Sequence, residues 1–173
     1  KAGVTYNATM DPAEVTSSSE AQTVVMTVKA SEKVTYDTLG TDIIVPEGWS
    51  IAAIENKEAG FTTTDYACDN AVIAFATADA ENVTTDLIAI ITYNVPANVA
   101  AGTYEVGLKE LVLTKDYAFD EWESGTDVTT TVTVTEKASV TYNANKASVA
   151  YRYVAEGLTS AVCCGVFSSL MGL

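Results

Sequence analysis

Histidine is absent from all 173 residues. Its absence removes the commonest general base, the Ser-His and Cys-His nucleophile systems and the commonest transition-metal ligand, and with them most familiar hydrolase chemistry. Cysteine is scarce: Cys68, Cys163 and Cys164 are an odd number with two adjacent. They spell no disulfide framework and leave a bridge from Cys68 to one of the pair as an open alternative. Basic residues number nine against 23 acidic ones, a formal net charge of −14. Such a surface repels phosphate backbones and anionic bilayers, which argues against nucleic acid as a partner. Three prolines and ten glycines punctuate the chain lightly. No signal-peptide pattern of basic, apolar and small residues opens it at Lys1, from which the expectation is that a leader has been removed or the start trimmed.

What is present is β-forming. The chain is 48% hydrophobic and 18% charged, and loaded with Thr, Val and Ala, a composition of folded β-structure rather than disorder. The length suits one domain with a real core and is short for two. From Gln22 onward, short Val/Ile/Thr/Tyr segments alternate apolar and polar residues between turn-formers, the spacing of an antiparallel β-sandwich of jelly-roll or immunoglobulin-like type. Residues 22–30 put Val24, Met26 and Val28 on one face and Thr23, Val25, Thr27 and Lys29 on the other, the pattern of a half-buried strand. A turn is expected at Ser31 and Glu32, and a second at Pro46-Glu47-Gly48. Residues 86–95 alternate Leu87, Ala89, Ile91 and Tyr93 with Ile88 and Ile90, apolar on both faces as a central strand requires. Residues 128–135 carry the cleanest alternation, Val128, Val132 and Val134 inward against Thr129, Thr131, Thr133 and Thr135. Trp49, set in a regular strand, is expected in the core.

These segments also carry a family resemblance. Residues 70–114, with a strand, an acidic loop, an apolar strand and then the small-residue step Ala100-Ala101-Gly102-Thr103-Tyr104, resemble the C-terminal half of a cohesin, a module of bacterial surface assemblies. The stretch from Val45 to Ile54 is similar to the strand after the first turn of that family, and the likeness spans about residues 22–135. Where cohesins end a strand in Tyr-Asp-Pro, this chain has Thr35-Tyr36-Asp37-Thr38. The resemblance implies a cohesin-like sandwich and, as one alternative, a module binding a dockerin-like partner. Carbohydrate-binding sandwiches share much of the pattern and supply another.

The ends are less ordinary. Lys1-Ala2-Gly3-Val4-Thr5-Tyr6-Asn7-Ala8 recurs at Lys137-Ala138-Ser139-Val140-Thr141-Tyr142-Asn143-Ala144, an offset of 136 residues with one difference. One reading is a tandem array cut just inside its second module; the other is an exchange of strands between subunits, since sheet edges accept foreign strands. Residues 147–155 alternate like a further strand with Val149, Tyr151 and Tyr153 on one face. The tail 158–173 carries no charge. Its 16 residues fall short of the roughly 20 a spanning helix needs, so a membrane anchor is not favoured. Val162, Val166, Phe167 and Leu170 are its candidate packing residues, as helix or as strand.

Candidate chemistry is thin. Asp116, Asp120, Glu121, Glu123 and Asp127 cluster between two strands, and such oxygen clusters can hold calcium, but the EF-hand spacing is missing and a solvated acidic loop is the expectation. No other cofactor is expected. Tyr117 and Trp122 in that loop, with Tyr66 beside Asp65, are candidates for stacking on sugar rings. Asn7 and Asn82 head glycosylation triplets. The expected organisation is an N-terminal arm or strand over 1–19, a sandwich over 20–136 and an extension over 137–173. The expected role is non-catalytic, extracellular or at the cell surface. Its partners would be other copies of itself, giving a filament or layer, or another surface protein. Val4, Tyr6, Val140, Tyr142, Val149, Tyr151, Tyr153 and the tail residues above are the expected subunit contacts.

Overall fold

The period-2 alternation of these segments becomes, among the described residues, nine strands in two facing sheets. The computed structural model describes residues 3–56, 58, 72–76, 82–115 and 125–139, the side chains of 72–76 excepted. The described strands are β1 (Tyr6–Asp11), β2 (Glu14–Thr16), β3 (Gln22–Tyr36), β4 (Thr38–Ile44), β5 (Ser50–Glu55), β6 (Val72–Ala76), β7 (Val83–Val95), β8 (Gly102–Thr114) and β9 (Thr126–Thr135). One sheet runs β1-β3-β7-β5, antiparallel throughout. The other runs β2-β9-β8-β4-β6, antiparallel except where β2 lies parallel to β9. Packing divides the chain into a unit Lys1–Lys137 and a unit Ala138–Leu173, and all nine described strands belong to the first.

The core is the meeting of the inward rows. Val24, Met26 and Val28 of β3 lie in register with Tyr93, Ile91 and Ala89 of β7, and all are fully buried. From the other sheet come Leu39 and Ile43 of β4, Val106, Leu108, Leu111 and Leu113 of β8, and Val128, Val132 and Val134 of β9. Residues 6–11 and 14–16, inside the segment read as an arm or strand, are strands of both sheets: the chain passes from β1 to β2 through a cis Asp11-Pro12 bond and Ala13, whose carbonyl accepts from Thr133 N at 3.0 Å.

Two local features differ from, or go beyond, the pattern read in the sequence. The turn expected at Ser31 and Glu32 does not form; β3 runs on to Tyr36 through an irregularity in which five steps along β3, from Lys29 to Val34, face two along β7, from Leu87 to Thr85. Looping out the surplus residues lets Val34 and Tyr36 return to the inward face without ending the ladder, as a bulge does. In β8 a smaller bulge sets three steps, Leu108 to Leu111, against two in β9, Val128 to Thr126. Lys109 and Glu110 are thereby turned outward, Glu110 at a left-handed φ of 53°, and its N–H is held by Asp127 Oδ1 at 2.9 Å. The Pro46-Glu47-Gly48 turn forms as expected, closed by Trp49 N donating to Pro46 O at 3.0 Å.

Buried polar groups gather where β3 crosses from one sheet to the other. Tyr36 Oη donates to Leu87 O at 3.1 Å, and Asn56 Nδ2 lies 2.9 Å from Tyr36 Oη and 2.8 Å from Leu87 O. Asp37, fully buried, is the single residue between β3 and β4; its N–H donates to Thr114 O at 2.7 Å, and its carboxylate accepts from Thr38 Oγ1 at 2.8 Å and Thr114 Oγ1 at 3.3 Å. These bonds satisfy groups whose desolvation would otherwise oppose the crossover.

Two outcomes follow from this packing. At Gly107 an added Cβ would lie 2.3 Å from Val128 O, a backbone atom that cannot yield without opening the β8–β9 ladder. Gly107→Ala is expected to destabilise the fold by about 1–3 kcal/mol, read from urea unfolding midpoints, and an unchanged midpoint would contradict the close approach. Burial pushes the hydroxyls of Tyr36 and Tyr93 well above the usual tyrosine range; at Tyr36 the Asn56 hydrogen bond opposes this and the Glu58 charge adds to it. The unfolded chain releases these protons near pH 10 while the native state holds them, so the stability they contribute is intact below about pH 10 and declines as pH rises beyond it. Melting temperature is expected to fall between about pH 10 and 11.5, and less steeply in Tyr93→Phe; equal slopes in the two proteins would contradict the assignment.

Candidate interaction edge

The first copy of the repeated octapeptide leads into β1, an edge strand whose ladder partner among the described residues is β3. The register pairs Tyr6 with Ala30, Asn7 with Lys29, Ala8 with Val28, and so on to Asp11 with Val25. Because successive side chains alternate, Val4 and Ala8 fall inward and are buried, Tyr6 packs against the core half-buried, and Thr5, Asn7 and Thr9 face out. Just ahead of β1, Ser31 N donates to Thr5 O at 2.7 Å and Ser31 Oγ accepts from Thr5 N at 3.1 Å. Two of the residues read as subunit contacts, Val4 and Tyr6, are thus engaged within their own chain, because the inward row of β1 closes the edge of the chain's own sandwich.

The opposite end of the sandwich is where β9 stops. Thr135 O accepts from Ser17 N at 2.8 Å, Thr16 and Thr135 hydroxyls lie 3.2 Å apart, and Gln22 Nε2 donates to Thr16 O at 2.8 Å. Ser17 Oγ and Asn98 N tie the β7–β8 connection to the same corner through Val99 O at 2.7 Å and Ser18 O at 2.6 Å. Glu136, Lys137, Ala138 and Ser139 then run out exposed. The N-terminal copy therefore joins the sandwich at the Ser31 end, and the second copy begins at the Gln22 end.

The remaining candidates sort as follows. Val140, Tyr142, Val149, Tyr151, Tyr153, Val162, Val166, Phe167 and Leu170 lie outside the described residues, as do Tyr66, Tyr117, Trp122, Asp116, Asp120, Glu121, Glu123 and the three cysteines. Asp127 is described, and its carboxylate braces the β8 bulge. Among the described residues no group of three or more acidic or cysteine side chains is placed to hold a metal ion, and no helix is long and apolar enough to cross a membrane. Trp49 is buried, stacked at a tilt on Tyr104 with centroids 5.2 Å apart and edge-on to Tyr93 at 6.5 Å. Asn7 and Asn82 are both exposed. Sequence pattern overlooked the Ser31–Thr5 clamp and the buried Asp37 and Asn56. The clamp and Asn56 depend on neighbours at least 20 residues away, which no local spacing reports.

Replacing Ser31 with alanine removes the acceptor of the Thr5 N–H at an exposed strand start. Amide exchange over residues 4–8 is expected to quicken by about five- to tenfold, matching roughly 1 kcal/mol, with the β3–β7 ladder unchanged. Exchange at wild-type rates would show that the clamp does not hold the edge.

No family model matches the chain, and no curated protein matches it. Among solved structures it is similar to the seventh ScaB type I cohesin from Pseudobacteroides cellulosolvens, at 12% identity and a TM-score of 0.41 over 78% of this chain and 97% of that one. It is similar also to the cohesin module of a family 33 glycoside hydrolase from Clostridium perfringens, at 13% identity and a TM-score of 0.40 over 76% and 98%. A third is BslA, a bacterial hydrophobin, at 10% identity and a TM-score of 0.40 over 79% and 96%.

Proposed function

We propose that the chain is a non-catalytic structural module of the cell surface that assembles with other copies of itself, through its two ends, into a filament or layer. The observation that carries this reading is the repeat. The octapeptide that leads into edge strand β1 at one end of the sandwich recurs directly behind β9 at the other. A segment at one end that fits the slot its equivalent fills at the other makes head-to-tail contacts between copies, which extend as filaments unless their rotation closes a ring. The absence of histidine is in keeping with a role other than acid–base chemistry. The uncharged tail 158–173 supplies apolar area that a neighbouring copy can bury.

The cohesin resemblance over residues 22–135 supports a second reading, a module that binds a different surface protein of dockerin type or a glycan, the latter through Tyr117 and Trp122. Association of the purified chain separates the two. Under the first reading the chain sediments as species that grow with concentration and forms filaments or sheets in electron micrographs, while a chain ending at Lys137 stays monomeric. A full chain that remains monomeric at every concentration would rule out self-assembly and leave the second reading.

A further inference from the structure

We propose that the Lys137–Ala144 segment of one copy takes the place of β1 on strand β3 of a second copy, joining the copies head to tail. This rests on the self-assembly reading above and gives it a slot, a direction and a register.

The slot is defined by what the first octapeptide does. On β3 it buries Val4 and Ala8 and packs Tyr6 against the core. The second octapeptide carries Val140, Tyr142 and Ala144 at the same spacing, so each inward residue has its equivalent, and Thr141 and Asn143 repeat the outward Thr5 and Asn7. The copies differ only at Gly3 and Ser139. Gly3 has a φ of 96°, unfavourable for serine, and sits ahead of the first inward residue; the shared fit begins at Val4, and the backbone leading into it differs between the two.

The direction follows from reach. To fill its own β1 position, the second octapeptide would have to start at the Ser31 end, since β1 runs antiparallel to β3 from Ala30 toward Val25. Its chain leaves β9 at the Gln22 end, where Thr16 and Thr135 pair. The nine steps of β3 from Gln22 to Ser31 span about 30 Å, whereas the four residues Glu136–Ser139 reach at most about 14 Å when fully extended. Its own slot is out of range, but the Ser31 end of a second copy stacked on the Gln22 end is not. The register is then inherited: Tyr142 opposite Ala30, Asn143 opposite Lys29 and Ala144 opposite Val28 of the neighbour. The incoming segment repeats the contacts of Val4, Tyr6 and Ala8 but carries Lys146 where β1 has the core-packed Met10, so it matches the first part of β1 only, and the concentration of copies decides how far the exchange proceeds.

The test is a cross-link at the outward Asn143–Lys29 pair, in a chain with Cys68, Cys163 and Cys164 changed to serine. Lys29 is exposed and its 3.4 Å ion pair with Asp86 is a surface one, so its replacement costs little. With Asn143→Cys and Lys29→Cys together, a short bis-maleimide is expected to give a ladder of covalent multimers; with Asn7→Cys and Lys29→Cys it is expected to close within one chain. Adding Val140→Asp to the first pair puts a carboxylate where Val4 is buried. It should reduce the ladder by about tenfold or more while leaving the melting temperature of the sandwich, which rests on Val4, in place. A ladder that persists with Val140→Asp overturns the proposal. So does the absence of a ladder: if assemblies still form, the self-assembly reading stands without this slot, and if none form, both fall.

Discussion

The register between β3 and β7 is the constraint on which the rest of the sandwich depends. Val24, Met26 and Val28 face Tyr93, Ile91 and Ala89 across a ladder between the two inner strands of the first sheet, and a slip of one residue would turn every one of them to solvent. β1 is hung on the outer side of β3 and β5 on the outer side of β7. The second sheet lays Val106, Leu108, Val132 and Val134 over the same inward rows. Bulges in β3 and β8 fall between inward residues, between Val28 and Val34 and between Leu108 and Leu111, and the residues beyond them return to the core.

The chain changes sheets at every step from β1 to β8, and two of these crossings, β1 to β2 and β3 to β4, show how the path is set. The first carries the chain past the edge of the sandwich, so that β2 finishes alongside β9. The second is made at one buried residue, Asp37, whose N–H and carboxylate are met by Thr38 and Thr114. With β2 parallel to β9, the start of β1 and the end of β9 are at opposite ends of the sandwich. That separation turns a sequence repeat into a directional one.

Much of the fold was legible as alternation. The inward rows of β3, β7 and β9, the Pro46–Gly48 turn and the burial of Trp49 could all be read from local pattern, because burial on one sheet face is a property of every second residue. Ser31 and Glu32 read as a turn because polar residues interrupt the apolar row there; in the fold they bulge, since β7 continues to offer a ladder beyond them. Asp127 read as part of an acidic loop, yet its carboxylate holds the N–H of Glu110, 17 residues back in sequence. Nothing local marks Asn56 as buried, because its partners Tyr36 and Leu87 belong to other strands.

By itself the sequence determined the class of fold, the faces of its strands and the existence of two matching octapeptides, all of which are properties of composition, period 2 and identity along the chain. Only the tertiary structure decided that the first octapeptide leads into an edge strand with Val4 and Ala8 inside its own core, and that the second departs from the far end. The physical reason is that strand neighbours and end positions come from non-local hydrogen bonding and sheet crossings, which join residues as distant as Thr16 and Thr135 and leave no trace in the spacing around either.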